Sequence, residues 1–167
     1  MIDRSVLVAG IGNIFQTDDG FGIEVVNRLT SRTLPPGVRV EDFGIRGVHL
    51  AYELLEGYDA LILVDALPMG DPPGTLAILE PEYGTTPTDA SSPMVDPHTM
   101  SPDIVLATLA RMDGSVDRVR IVGCQPADLQ EGMGLTPAVA AAVDDAVAMC
   151  CELVSEIVEP AGKVAKQ

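Results

Sequence analysis

Basic residues are scarce in this chain: Lys and Arg number 10 against 25 Asp and Glu, a formal charge of -15. A surface that negative repels phosphate backbones and anionic headgroups, so neither nucleic acid nor a membrane is an expected partner. It attracts cations, a metal ion or a basic peptide instead, or serves solubility alone. No long apolar run is present either. The most apolar late segment, Val139 to Val158, is broken by Asp144, Asp145, Glu152 and Glu156, which excludes a membrane span and predicts a helix lying on a core. Met1-Ile2-Asp3-Arg4 runs straight into Val6-Leu7-Val8-Ala9 without the pattern of a secretory signal. Three cysteines, Cys124, Cys150 and Cys151, make neither an even disulfide set nor a spaced metal quartet. They read as buried small apolar residues in a reducing compartment, and the expected location is the cytoplasm.

What is present suits one domain over 1–167, with a tail after about 158 expected to be flexible. Ser5 to Ile11, Ala60 to Val64 and Val119 to Gly123 are short runs of branched residues bounded by turn residues, and predict buried strands. Val38 to Phe43 and Thr75 to Glu80 predict two more. Helical patterns fall between, at Gly22 to Thr30 and Val48 to Glu56. This alternation predicts an α/β fold, a mostly parallel twisted sheet with helices on both faces. Pro81 to Pro102 is a long polar connection, of the kind that is functional or disordered in a compact domain. A helix restarts at Ser101-Pro102-Asp103 with Val105, Leu109 and Met112 on its core face. Another starts near Thr136-Pro137 and buries Val139, Val143, Ala146, Val147, Cys150 and Val154. With no heptad pattern and no apolar helix left over, a monomer is expected.

Chemistry concentrates after the first and third strands. Gly10-Ile11-Gly12-Asn13 permits a sharp turn and close backbone approach. A dinucleotide fingerprint needs glycine at position 15, where Phe15 stands, and Asp18 and Asp19 at the following helix start would repel phosphates. One of these two aspartates suffices to cap that helix, and Asp18 is the one assigned to capping. Asp65 closes the run Ala60 to Val64 and so sits at the carboxyl end of a central strand, where open parallel sheets bind ligands. His98 lies in the long connection; His49, inside a predicted helix, reads as structural. Each candidate has a plain alternative: a first-turn acid for Asp19, a loop hydrogen bond for Asp65, a solvated imidazole for His98. In a flavodoxin-like order, strands one and three are neighbours, Asp19 and Asp65 face each other across the switch point, and His98 can reach over them. Two carboxylates and an imidazole suit a divalent ion with open positions, zinc or nickel, that activates water without a serine or cysteine nucleophile. No nucleophile elbow and no His-Glu-x-x-His helix is present.

The combined order of Gly10-Ile11-Gly12-Asn13, Asp18-Asp19-Gly20-Phe21-Gly22, Asp42-Phe43-Gly44, Tyr58-Asp59, Val64-Asp65-Ala66, His98 and Gly134-Leu135-Thr136-Pro137 resembles the hydrogenase maturation proteases. The resemblance implies a five-stranded sheet between helices and metal ligands at Asp19, Asp65 and His98. It implies an endopeptidase acting on the C-terminal extension of a nickel-hydrogenase large-subunit precursor, with nickel arriving in that precursor. The family takes Glu or Asp at the first ligand; here it is the shorter acid. Arg46, in Gly44-Ile45-Arg46-Gly47, departs from the threonine that many relatives carry after the first glycine. The same three ligands also fit a general metallopeptidase on this fold, and a metal-binding assembly factor that docks without cutting is the rival from another class. A flavin or mononucleotide carrier comes third.

Overall fold

The computed structural model of the chain describes residues 5–81 and 102–158. Most of the polar connection, His98 with it, and the tail expected after about 158 lie outside these residues. The elements run β1 (Val6–Ile11), α1 (Phe21–Leu29), β2 (Val38–Gly44), α2 (Gly47–Leu54), β3 (Ala60–Ala66), β4 (Leu76–Leu79), α3 (Pro102–Arg111), β5 (Arg118–Cys124) and α4 (Pro137–Val158). A 3-10 turn, Thr17–Gly20, precedes α1.

The five strands form one sheet in the order β2-β1-β3-β5-β4. β1 pairs in parallel with both β2 and β3, β3 with β5, and β4 joins the far edge antiparallel to β5. Every residue of β1 and β3 is buried, which is why both read as unbroken apolar runs and not as alternating strands. Strand alternation then sorts their side chains between two cores. Val6, Val8, Ile62 and Val64 pack under α1 and α4; Leu7, Ala9, Leu61 and Leu63 pack under α2 and α3. Each fully buried valine, leucine or isoleucine contributes about 1.5–3 kcal/mol. The predicted core positions Val105 and Leu109 on α3, and Val139, Val143, Ala146, Val147, Cys150 and Val154 on α4, are buried. Met112 is only partly buried, against the second core.

Two readings need correction. Cys124 and Cys150 are buried as expected, but Cys151 is partly exposed. Asp18 caps neither the 3-10 turn nor α1, since the residues preceding them, Gln16 and Gly20, make no side-chain cap and the Asp18 carboxylate points elsewhere. His49 is exposed on α2, whose outward side also leaves Val48, Tyr52 and Leu55 in solvent.

The approach of α1 to the strand ends is closer than any side chain tolerates. A Cβ on Gly22 would stand 2.1 Å from the Val64 carbonyl oxygen and 2.7 Å from that of Ile11. Gly22→Ala must therefore push α1 off both β1 and β3, and is expected to lower the unfolding free energy by about 3 kcal/mol. A urea midpoint equal to that of the unchanged protein would refute this account of the packing.

Candidate active site

The sheet places its switch point between β1 and β3. After β1 the chain crosses to β2 on one side; after β3 it proceeds to β4 and then β5 on the other, so the loops leaving β1 and β3 diverge at this point. Asp65 is the penultimate residue of β3, paired with Gly123 of β5, so the sheet itself fixes where its side chain starts. Asp19 enters from the β1–α1 loop. Gly12, at φ +139°, lets that loop fold back so tightly that a Cβ there would lie 1.9 Å from the Asp19 carbonyl oxygen. The Asn13 amide then donates to Asp19 Oδ2 at 2.7 Å, while Asn13 Oδ1 accepts from the Phe15 amide at 2.9 Å. Gly10-Ile11-Gly12-Asn13 is thus a device for aiming a carboxylate, in keeping with the close approach its glycines predict.

The two carboxylates are electrostatically unsatisfied. Asp65 is 1% exposed, and its Oδ1 has no hydrogen-bond partner among the described residues. Burial and then the charge of Asp19 push its carboxyl well above the usual range, against a smaller opposing effect of the Ala66 amide. Burial likewise raises Asp19, only partly offset by the Asn13 amide. A buried carboxylate oxygen without a donor costs stability, and two facing acids cost more, unless a cation or a proton completes them. A divalent cation fits this donor set: hard oxygen ligands, negative charge in excess, and an uncommitted Oδ1. Among the described residues no group of three His, Cys, Asp or Glu gathers around a common point. The third predicted ligand, His98, falls outside them.

Asp18 has the opposite environment and a role the sequence reading missed. Its carboxylate accepts from the Ala127 amide at 2.8 Å, the Asp128 amide at 3.0 Å, the Thr136 amide at 2.7 Å and the Thr136 hydroxyl at 2.8 Å. Burial raises its pKa, but these donors outweigh burial and hold the carboxyl below its ordinary value. Backbone bonds extend the seam: Thr17 N–H to Gly132 O, Gly132 N–H to Phe15 O and Asp18 N–H to Asp128 O, with the Thr17 hydroxyl on Gln130 O. The loop that presents Asp19 is in this way fastened to the loop between β5 and α4. The only sequence signal was the joint presence of Asp18 and Gly134-Leu135-Thr136-Pro137, which does not state that the two touch.

The chain is similar to known proteins in sequence and in fold. Residues 23–153 match the family model described as hydrogenase maturation protease. The chain is 37% identical over 145 residues to the hydrogenase expression/formation protein HupD of Rhodobacter capsulatus, covering 86% of this chain and 68% of that one. It is 33% identical over 144 residues to the hydrogenase 2 maturation protease of Escherichia coli, covering 85% of each. Among solved structures, the hydrogenase maturating endopeptidase HybD from E. coli superposes with a TM-score of 0.77 at 31% identity, over 92% of this chain and 94% of that one.

Proposed function

The chain belongs to the hydrogenase maturation protease family, and from that premise we propose that it is the endopeptidase that removes the C-terminal extension of a nickel-hydrogenase large-subunit precursor after nickel insertion. The observation that carries the reading is Asp65: a buried carboxylate with a free oxygen, facing Asp19 at the carboxyl end of a parallel sheet. Among the described residues no donor satisfies that oxygen.

Asp19 and Asp65 would hold a divalent ion together with His98, whose place in the set rests on the sequence resemblance. Nickel is the ion we assign, carried in by the precursor as part of the substrate; zinc fits the same donors. When bound, such an ion supplies Lewis acidity, polarising a peptide carbonyl or acidifying a water. The protein's own contribution is positional. The Asn13 amide orients Asp19, the sheet fixes Asp65, and the packed ends of β1 and β3 exclude bulk water from one side. Neither buried thiol can replace this chemistry. Burial, aided by the Asp18 charge, pushes Cys124 up to about 11, and burial with the neighbouring Cys151 pushes Cys150 up to about 12, so both stay protonated and inert at neutral pH.

The proposal places the enzyme in the cytoplasm as a monomer whose partner is the precursor. Free cysteines are consistent with that compartment, and among the described residues no helix is long and apolar enough to cross a membrane. The decisive measurement is the intact mass of the large-subunit precursor after incubation with this protein, with nickel-loaded and nickel-free forms in parallel. Loss of one C-terminal peptide from the loaded form alone is expected. A stable complex with unchanged mass would make the protein an assembly factor, and cleavage of unrelated short peptides would make it a general peptidase.

A further inference from the structure

Arg46 stands out in the sequence, yet the mechanism above does not use it. Its guanidinium is held in place: Nε donates to the Phe43 carbonyl at 3.1 Å and Nη2 to the Asp42 carbonyl at 2.8 Å. Both carbonyls belong to the carboxyl end of β2, and Nη1 is left without a partner among the described residues. We propose that Arg46 is a specificity-determining residue, whose guanidinium receives an acidic side chain of the precursor within about three residues of the scissile bond. The inference rests on the processing activity proposed above and names a substrate chemistry that the same site selects.

Position is the first support. Asp42 pairs with Gly10 of β1 and Gly10 with Val64 of β3, so the carbonyls that hold Arg46 start at the level of the residue preceding Asp65. In the order β2-β1-β3 the sideways offset is two strand spacings, about 10 Å, which an extended peptide covers in about three residues. The turn bearing Arg46 is also tied to the loop that presents Asp19, because the Gly12 amide donates to the Gly44 carbonyl at 2.9 Å. Charge is the second. Arg28, Arg39 and Arg120 are each ion-paired with acids of this chain, whereas Arg46 has no ion pair among the described residues, although acids number 25 against 10 bases. No acid stands in the first turn of α2, which starts at the next residue. Backbone carbonyls orient a guanidinium without cancelling its charge, so this cation is positioned and still unpaired. It does not relieve the carboxylate pair either, since the carboxyls of Asp19 and Asp65 both stay raised. The remaining field is the third support: a chain at -15 repels an acidic peptide segment, and a fixed cation beside the site lets one approach.

The test uses the full chain and nickel-loaded large-subunit precursor, with cleavage read by mass and binding by calorimetry. Arg46→Glu should raise KM and Kd roughly tenfold while kcat stays within about threefold, and a precursor whose acid near the scissile bond is changed to lysine should recover most of that loss. A residue that only braces the β2 turn cannot be rescued by opposite charge on the substrate. Arg46→Gln should raise KM about fivefold on the unaltered precursor and have no effect on one whose acid is neutralised, which makes the same comparison if the glutamate variant does not fold. Arg46→Lys keeps the charge and should lose less, and high salt should narrow every difference. If the unchanged protein cuts while the Arg46 variants keep its KM, or lose activity equally on every precursor, the inference falls and the processing reading stands. A precursor with no acid within that reach overturns it as well. If the unchanged protein binds without cutting and its affinity follows the charge exchange, the contact stands and the processing reading falls. Absence of any binding by the unchanged protein overturns both.

Discussion

Asp65→Asn should reduce processing of the loaded precursor by roughly 10³-fold or more, because it removes charge where a cation must be held against a reacting carbonyl. The same change should not weaken the fold. Asparagine removes a buried, partly unpaired negative charge that Asp19 repels, so the unfolding midpoint is expected to stay level or rise by about 2–4 °C. Its pH dependence has a definite sign. Since the folded protein raises the Asp65 pKa, the carboxylate's cost is greatest at neutral pH and is relieved as pH falls toward the range near 4 where unfolded carboxylates titrate. The stability advantage of the asparagine variant should therefore shrink on acidification. Parallel loss of activity and of thermal stability in this variant would show that Asp65 is a structural residue, and the proposed site would be wrong.

The second large effect is on folding. Asp18→Asn preserves size and volume but turns one acceptor oxygen into a donor in a place where the Ala127, Asp128 and Thr136 amides and the Thr136 hydroxyl all donate. Asp18 is 0% exposed, so water cannot substitute. Hydrogen bonds to a buried charge are strong and costly to orphan; a loss of about 3 kcal/mol, or a midpoint lower by roughly 6–12 °C, is expected. Here the sign with pH is reversed. The folded pKa is lowered, so the stabilisation is complete above the usual carboxylate range and is lost as pH falls through the lowered value. The gap between the two proteins should be full at neutrality and close in acid. Equal denaturation midpoints at pH 7 would dismiss the seam as a stabilising feature.

These neighbouring aspartates also mark how far sequence reading reaches. Strands β1 and β3 were legible because a strand buried on both faces is a short unbroken run of branched residues, and such runs need helices on both sides. Asp65 was legible for a related reason: a carboxylate that ends such a run must stand at the ligand-binding edge of the sheet. The division of labour between Asp18 and Asp19 was legible only in part. Local rules for helix starts see two acids and a cap, whereas the donors that fix Asp18 come from residues 127, 128 and 136. A contact between distant segments leaves no periodicity in either. The fit of Gly22 under the Val64 carbonyl was likewise hidden, since a glycine that permits a turn and a glycine that permits contact look the same in a sequence.

The bond from Thr136 to Asp18 spans 118 positions of the chain. Ribosomal synthesis delivers Asp18 early and Thr136 late, and closing so long a loop brings no reward until both ends exist. The seam that steadies the Asp19 loop therefore forms only when α4 is being added. An incomplete chain has the aspartates but not their arrangement, so a truncated product released early would be an idle protein and not an unregulated protease.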